Sequence, residues 1–219
     1  MMLQKKFIIS GVIGCLCFGI GDWLLGYVDP AFMEEGVFYF IRAGHGADYN
    51  TSKPAVALAL AAIGMCFLYP GFVHISDIAK DGKTKRSLKY AFGICSFGWL
   101  MLHILVSVNV IVFSQAEKSG GRELAVTISN SLGNAGMAAL CFAFLAIFVP
   151  LIMLAVSVVR QKSGLPRTAV FFTPVVPIAV LFAAAQILPA SPFSYGLYTF
   201  CMNGGMLVWF AYLFAAKHR

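Results

Sequence analysis

Six stretches of mostly apolar residues, each bounded by charges or turn residues, divide this chain: residues 7–28, 54–75, 88–113, 124–159, 168–188 and 193–216. A helix needs about 20 such residues to cross the ~30 Å hydrocarbon core of a bilayer. The pattern predicts an all-α fold, a polytopic membrane protein with six transmembrane helices in one bundle. No length remains for a soluble domain, so residues 1–219 read as a single integral membrane domain. Composition agrees. Hydrophobic residues make up 60% of the chain and charged residues 11%, against roughly 45–50% and 25% in soluble domains. A core of this size cannot hide that excess from water.

Orientation follows from the basic residues, because cytoplasmic loops collect Lys and Arg. With the N-terminus inside, Lys5, Lys6, Lys80, Lys83, Lys85, Arg86, Lys89, Arg160, Lys162, Arg167, Lys217 and Arg219 all fall on the inner side. Only Arg42, Lys53, Lys118 and Arg122 fall outside, so both termini are expected in the cytoplasm. The loop of residues 80–89 can attract anionic lipid head groups, but enforcing topology explains its charge without a further partner. The net charge of +7 would suit a nucleic-acid partner only on a soluble face interleaved with aromatics. None is expected. Membrane lipids are the expected partners of such a chain, and an oligomer is compatible with it.

The six cysteines, Cys15, Cys17, Cys66, Cys95, Cys141 and Cys201, lie inside apolar runs, where a thiol behaves as a small hydrophobe. Neither a disulfide framework nor a zinc spacing is present. His45, Asp48, Glu34 and Glu35 in the first outer loop are donor types for a cation but lack a metal motif's spacing, so neither metal nor cofactor is expected. Residues 34–42 of that loop are aromatic and too short to span, which suits an interfacial or re-entrant segment. Ser52 and Pro54 resemble the cap and first turn of the second helix. Asn50, Thr51 and Ser52 match the glycosylation acceptor pattern, which matters only on a eukaryotic secretory route. Val12, Ile13, Gly14 and Cys15 mimic a lipobox, yet the chain stays apolar to Val28, which fits a retained anchor. Pro70, Pro150, Pro174 and Pro177 are expected to kink their spans.

Ionisable groups inside a membrane are costly and usually functional or paired. Of the charged residues only Asp22 lies well within a span. It stands fifteen residues from the inner end of the first run, and His103 stands fifteen from the inner end of the third. At 1.5 Å per residue both lie about 22 Å from the inner boundary, so they are expected to meet. Asp22 shares its helical face with Gly11, Cys15, Gly19 and Gly26, a stripe that admits a close neighbour. His103 shares its face with Ser96, Ser107 and Ser114. Thr127, Asn130, Ser131 and Asn134 form a polar face at helical spacing in the same outer zone, and Gln186 and Asn203 add further amides. An Asp/His pair is also the base half of many hydrolytic sites, but no Gly-x-Ser-x-Gly elbow or His-Glu-x-x-His accompanies it.

The segment Gly21, Asp22, Trp23, Leu24, Leu25 and Gly26, taken with six spans, resembles an uncharacterised family of bacterial six-helix membrane proteins. That resemblance implies the bacterial inner membrane. The segment is also similar to the Gly-Asp helix motif of lysoplasmalogenase-type membrane hydrolases, whose bundles have eight spans. From the residues themselves, the first expectation is a protein that binds or transports a small polar solute or ion through an outward-facing polar cavity. Asp22 would be the charge partner, His103 the proton acceptor or donor, and Asn130, Asn134 and Asn203 the hydrogen-bonding groups. The alternatives are an intramembrane lipid hydrolase with Asp22 and His103 as catalytic candidates, and a membrane scaffold or accessory subunit.

Overall fold

The computed structural model describes residues 4–27, 50 and 52–216, and among these the chain is helical with no strand. The helices are α1 (Lys5–Gly26), α2 (Ser52–Ile75), α3 (Gly82–Ala135), α4 (Met137–Val159), α5 (Val175–Ile187) and α6 (Pro192–Ala216). Tight 3-10 turns at Ser76–Ile78 and Arg167–Phe172 precede α3 and α5. α1 packs between α2 and α6, α2 continues onto α3, α3 onto α4, and α6 onto α5. The spatial order is therefore α4, α3, α2, α1, α6, α5. The row curls until its two ends, α4 and α5, meet with only light contact.

Small residues set the tightest approaches, as expected where lipid supplies no hydrophobic drive between helices. A Cβ built on Gly14 of α1 would lie 2.6 Å from the backbone nitrogen of Leu68 on α2. On the α6 side, Gly11 faces the ring of Phe210 and Gly26 faces Thr199. The stripe predicted around Asp22 is buried throughout. Phe18, Phe72, Phe92, Trp99 and Phe210 fill the centre.

The third and fourth runs depart from expectation. α3 does not stop near residue 113 but continues to residue 120 and reverses at Gly121, whose φ of +82° and ψ of 176° lie in a region almost closed to residues with a Cβ. The Ser129 hydroxyl donates to Asn109 Oδ1 at 2.8 Å, whereas twenty residues of straight helix would separate the two by about 30 Å. Arg122 bonds back to Glu117 at 3.0 Å. The fourth run is thus the returning limb of α3, residues 122–135, followed by a break at Gly136 and then α4. Its tip reaches about 25 Å past His103 along the axis, while α1 ends about 6 Å past Asp22. Replacing Gly121 with Ala should cost about 1–3 kcal/mol through its backbone conformation alone, measurable by thermal unfolding of the purified protein.

The fifth run also differs. Five helices, α1 to α4 and α6, are long and apolar enough to cross a membrane, whereas α5 has 13 residues, or about 20 Å. Pro174 caps α5 and Pro177 sits in its first turn, positions where a missing N–H costs nothing. These prolines start a helix rather than kink one. Pro70 and Pro150 do lie inside α2 and α4. At the head of α2 it is Asn50 Oδ1, not the Ser52 side chain, that accepts a terminal N–H, from Ser52 at 2.9 Å.

One end of the bundle gathers the basic loops. Lys5 lies over the ring of Phe214, which puts the start of α1 beside the end of α6. The Lys80 N–H donates to the Lys162 carbonyl and the Gly164 N–H to that of Ile78, both at 2.8 Å. Those bonds clip residues 78–80 to residues 162–164. Asp77 takes Lys85 on one oxygen and His74 on the other, each at 2.7 Å. Asp81 caps α3 by accepting from the Thr84 N–H at 2.8 Å, a bond that holds its carboxyl below the usual range. Residues 34–42, with His45, Asp48, Lys217 and Arg219, lie outside the described residues.

Candidate functional site

Asp22 enters the bundle from the last third of α1, His103 from the middle of α3 and Asn203 from the middle of α6. Asp22 and His103 each stand fifteen residues into their apolar runs, so a fixed helical rise brings them to one depth. The His103 Nε2 lies 2.9 Å from Asp22 Oδ1, and the Asn203 Nδ2 donates to Asp22 Oδ2 at 2.5 Å. The His103 Nδ1 faces the Trp99 carbonyl one turn back at 2.8 Å. The Trp99 indole then donates to Asn203 Oδ1 at 3.2 Å, which turns the amide so that its NH₂ points at the carboxylate. The bonds form a closed ring running from Trp99 through His103, Asp22 and Asn203 back to Trp99. Phe18 packs on the imidazole at 4.5 Å, and the Thr199 hydroxyl donates to the Asp22 carbonyl at 2.9 Å.

The proton count of this ring follows from what each atom is able to do. A carbonyl only accepts, so the His103 Nδ1 carries a hydrogen. One more proton must lie between Nε2 and Oδ1, since otherwise two lone pairs would face each other. Written as imidazolium with carboxylate, or as imidazole with carboxylic acid, the pair has no net charge. An uncompensated ion in lipid is costly, so neutrality within the pair explains how Asp22 is tolerated. Both imidazole nitrogens are engaged.

The ring is not sealed. The side chains of Asp22 and His103 keep 11% and 9% of their surface, exposed into a cavity of about 190 Å³. Leu25 of α1, Leu102 and Val106 of α3, Phe144 and Phe148 of α4, Ile178 and Phe182 of α5, and Tyr198, Thr199, Cys201 and Met202 of α6 complete the wall. Phe144 is 38% and Phe182 43% exposed. The cavity therefore reaches the surface of the bundle where α4 and α5 barely touch, among exposed apolar residues. Asp22 is the one carboxylate among its lining residues.

A family of unknown function, DUF6796, matches residues 1–218. The chain belongs to that family. No curated protein and no solved structure matches it. In this DUF6796 chain the segment from Gly21 to Gly26 does several jobs at once: Gly21 lies against Ala57 of α2, Gly26 against Thr199 of α6, and Asp22 and Leu25 line the cavity.

Of the predicted site residues, the fold brings Asp22, His103 and Asn203 together and leaves Asn130 and Asn134 out. The returning limb of α3 turns Thr127, Ser131 and Asn134 to its exposed side and leaves Asn130 half-buried. Ser129, with Ala125 and Gly133 one turn to either side, faces the bundle instead. Gln186 is exposed on α5. Ser96, Ser107 and Ser114 are buried as their shared face with His103 predicts. Trp99 went unnoticed in the sequence although it stands one turn from His103, a spacing that puts its carbonyl within reach of Nδ1. The aromatic lining from α4 and α5 carries no signal, because in sequence it matches any lipid-facing surface. Among the described residues no three His, Cys, Asp or Glu side chains gather to hold a metal.

Proposed function

We propose that this chain is a six-span inner-membrane protein of bacteria, with both termini in the cytoplasm, that binds an amphipathic ligand entering sideways from the bilayer. The observation that carries this reading is the cavity itself: a mostly apolar, aromatic wall open between α4 and α5 that holds one hydrogen-bonding carboxylate. Ligand sites in general are mostly apolar with a few convergent polar groups. A small polar solute would have to displace lipid from that wall and make few bonds in return. The sixth crossing is completed by the Arg167–Phe172 turn, because six residues of 3-10 helix at about 2 Å each and α5 at about 20 Å together match a ~30 Å core. The adjacent ends of α1 and α6 and the basic loops beside them support termini on one, cytoplasmic side.

A lateral mouth is also what an intramembrane lipid hydrolase needs. The ring argues for binding instead: with Nδ1 held by the Trp99 carbonyl and Nε2 by Asp22, His103 has no free lone pair to act as a base on a bound molecule.

The test is thermal unfolding in nanodiscs with added decanol, glycerol or sodium chloride. Decanol should raise the melting temperature of the wild type and not of Asp22→Asn, whose carboxamide retains partners for both His103 and Asn203. Stabilisation by glycerol or salt but not decanol would favour a solute or ion pathway.

A further inference from the structure

We infer that the cavity selects a single-chain amphipath whose head group is uncharged and donates a hydrogen bond, a hydroxyl in the first instance. The inference rests on the ligand-binding reading and adds the head-group chemistry. Three observations carry it. The Asp22–His103 pair presents no net charge, because Nδ1 must donate to the Trp99 carbonyl and a single proton lies between Nε2 and Oδ1. An ammonium entering the cavity meets a carboxylate already matched by its imidazole partner. An anion meets carboxylate oxygens, with the nearest donors, His103 Nε2 and Asn203 Nδ2, already bound to them. Desolvating either ion in an apolar wall goes uncompensated.

A neutral donor fits what is left. Each carboxylate oxygen accepts one bond from the ring and has a second lone pair, and Asp22 is the one carboxylate that lines the cavity, with part of its side chain exposed. The Thr199 hydroxyl is committed to backbone carbonyls, that of Asp22 at 2.9 Å and that of Gly196 at 3.0 Å, so its remaining capacity is as an acceptor too. At Asp22 and Thr199 the wall asks the ligand for hydrogens. Volume sets the tail. At about 190 Å³ the cavity modestly exceeds the ~150 Å³ apolar hole that takes up benzene. It admits the head and first carbons of one chain, the rest leaving past Phe144 and Phe182, and it has no room for a second chain branching from the same head. Long-chain alcohols and monoacylglycerols share this chemistry.

The experiment compares four ligands of equal chain length, decanol, monodecanoylglycerol, decanoate and decyltrimethylammonium, on nanodisc-embedded protein by native mass spectrometry. Decanol or monodecanoylglycerol should bind about tenfold or more tightly than either ion, the difference expected for a buried charge left unmatched. Whichever of the two binds tighter separates a simple alcohol from a glycerol ester. His103→Gln retains a donor to Asp22 but removes the compensating charge, so it should move the preference toward decyltrimethylammonium. Equal or tighter binding of an ion to the wild type overturns the head-group inference and leaves the lateral cavity standing. Failure of all four to bind overturns both.

Discussion

Asp22→Ala should destabilise the folded protein by about 3–5 kcal/mol, the range for removing one member of a buried ion pair. The loss is large because two groups are stranded at once: Nε2 of His103 and the Nδ2 of Asn203 both lose their only partner in the ring. Replacing both members by apolar residues, Asp22→Leu with His103→Leu, should cost less than the sum of the single changes, since neither member of the pair is then left without the other and only Asn203 Nδ2 stays stranded. Reversible unfolding in mixed micelles measures the cycle. A double variant as damaged as the two single variants added together would mean that the pair does not act as a unit.

Gly14→Leu should be nearly as damaging, at about 3 kcal/mol for overpacking. The obstacle is backbone: Leu68 N and Cα lie 2.6 and 2.7 Å from a Cβ at this position, so no rotamer change relieves it. α1 and α2 must separate, and α1 carries Asp22. Gly93→Ala provides the contrast, because nothing lies within 4 Å of its Cβ direction. It should unfold no more easily than the wild type and gain up to about 1 kcal/mol, because Ala replaces Gly inside a helix without a clash. Gly14→Leu should also abolish decanol binding, through displacement of Asp22 rather than through any contact with the ligand.

Much of the site was legible in the sequence, for reasons that mark the limit of such reading. Helix rise is fixed, so the depths of Asp22 and His103 follow from counting residues, and the two meet at 2.9 Å. Helical phase is fixed within one uninterrupted helix, so the buried stripes of α1 and α3 are predictable as well. What counting does not supply is the lateral arrangement of helices. In lipid the apolar faces do not point to a core, so chain order alone does not say that α1 lies between α2 and α6 or that α4 and α5 meet only lightly. Asn130 and Asn134 illustrate the second limit. Their spacing forms a face, but the rotation of that limb is set by the reversal at Gly121 and by the Ser129–Asn109 bond, and that rotation turns Ser129 inward instead. The fifth run illustrates a third: hydropathy counts apolar residues without asking whether Thr173, Pro174 and Pro177 permit one continuous helix.

The central claim is that a chain-bearing ligand enters between α4 and α5 and ends at Asp22. Photolabelling tests it most directly, with a decanol analogue carrying a diazirine near the middle of its chain, irradiated with the protein in nanodiscs and mapped by mass spectrometry. The account predicts adducts on the cavity and its mouth, at Phe144, Phe148, Phe182 and Met202, that fall sharply in Asp22→Asn while labelling of the outer surface at Ile94 and Phe97 is unchanged. Labelling confined to the outer surface, or cavity labelling indifferent to Asp22→Asn, would contradict it.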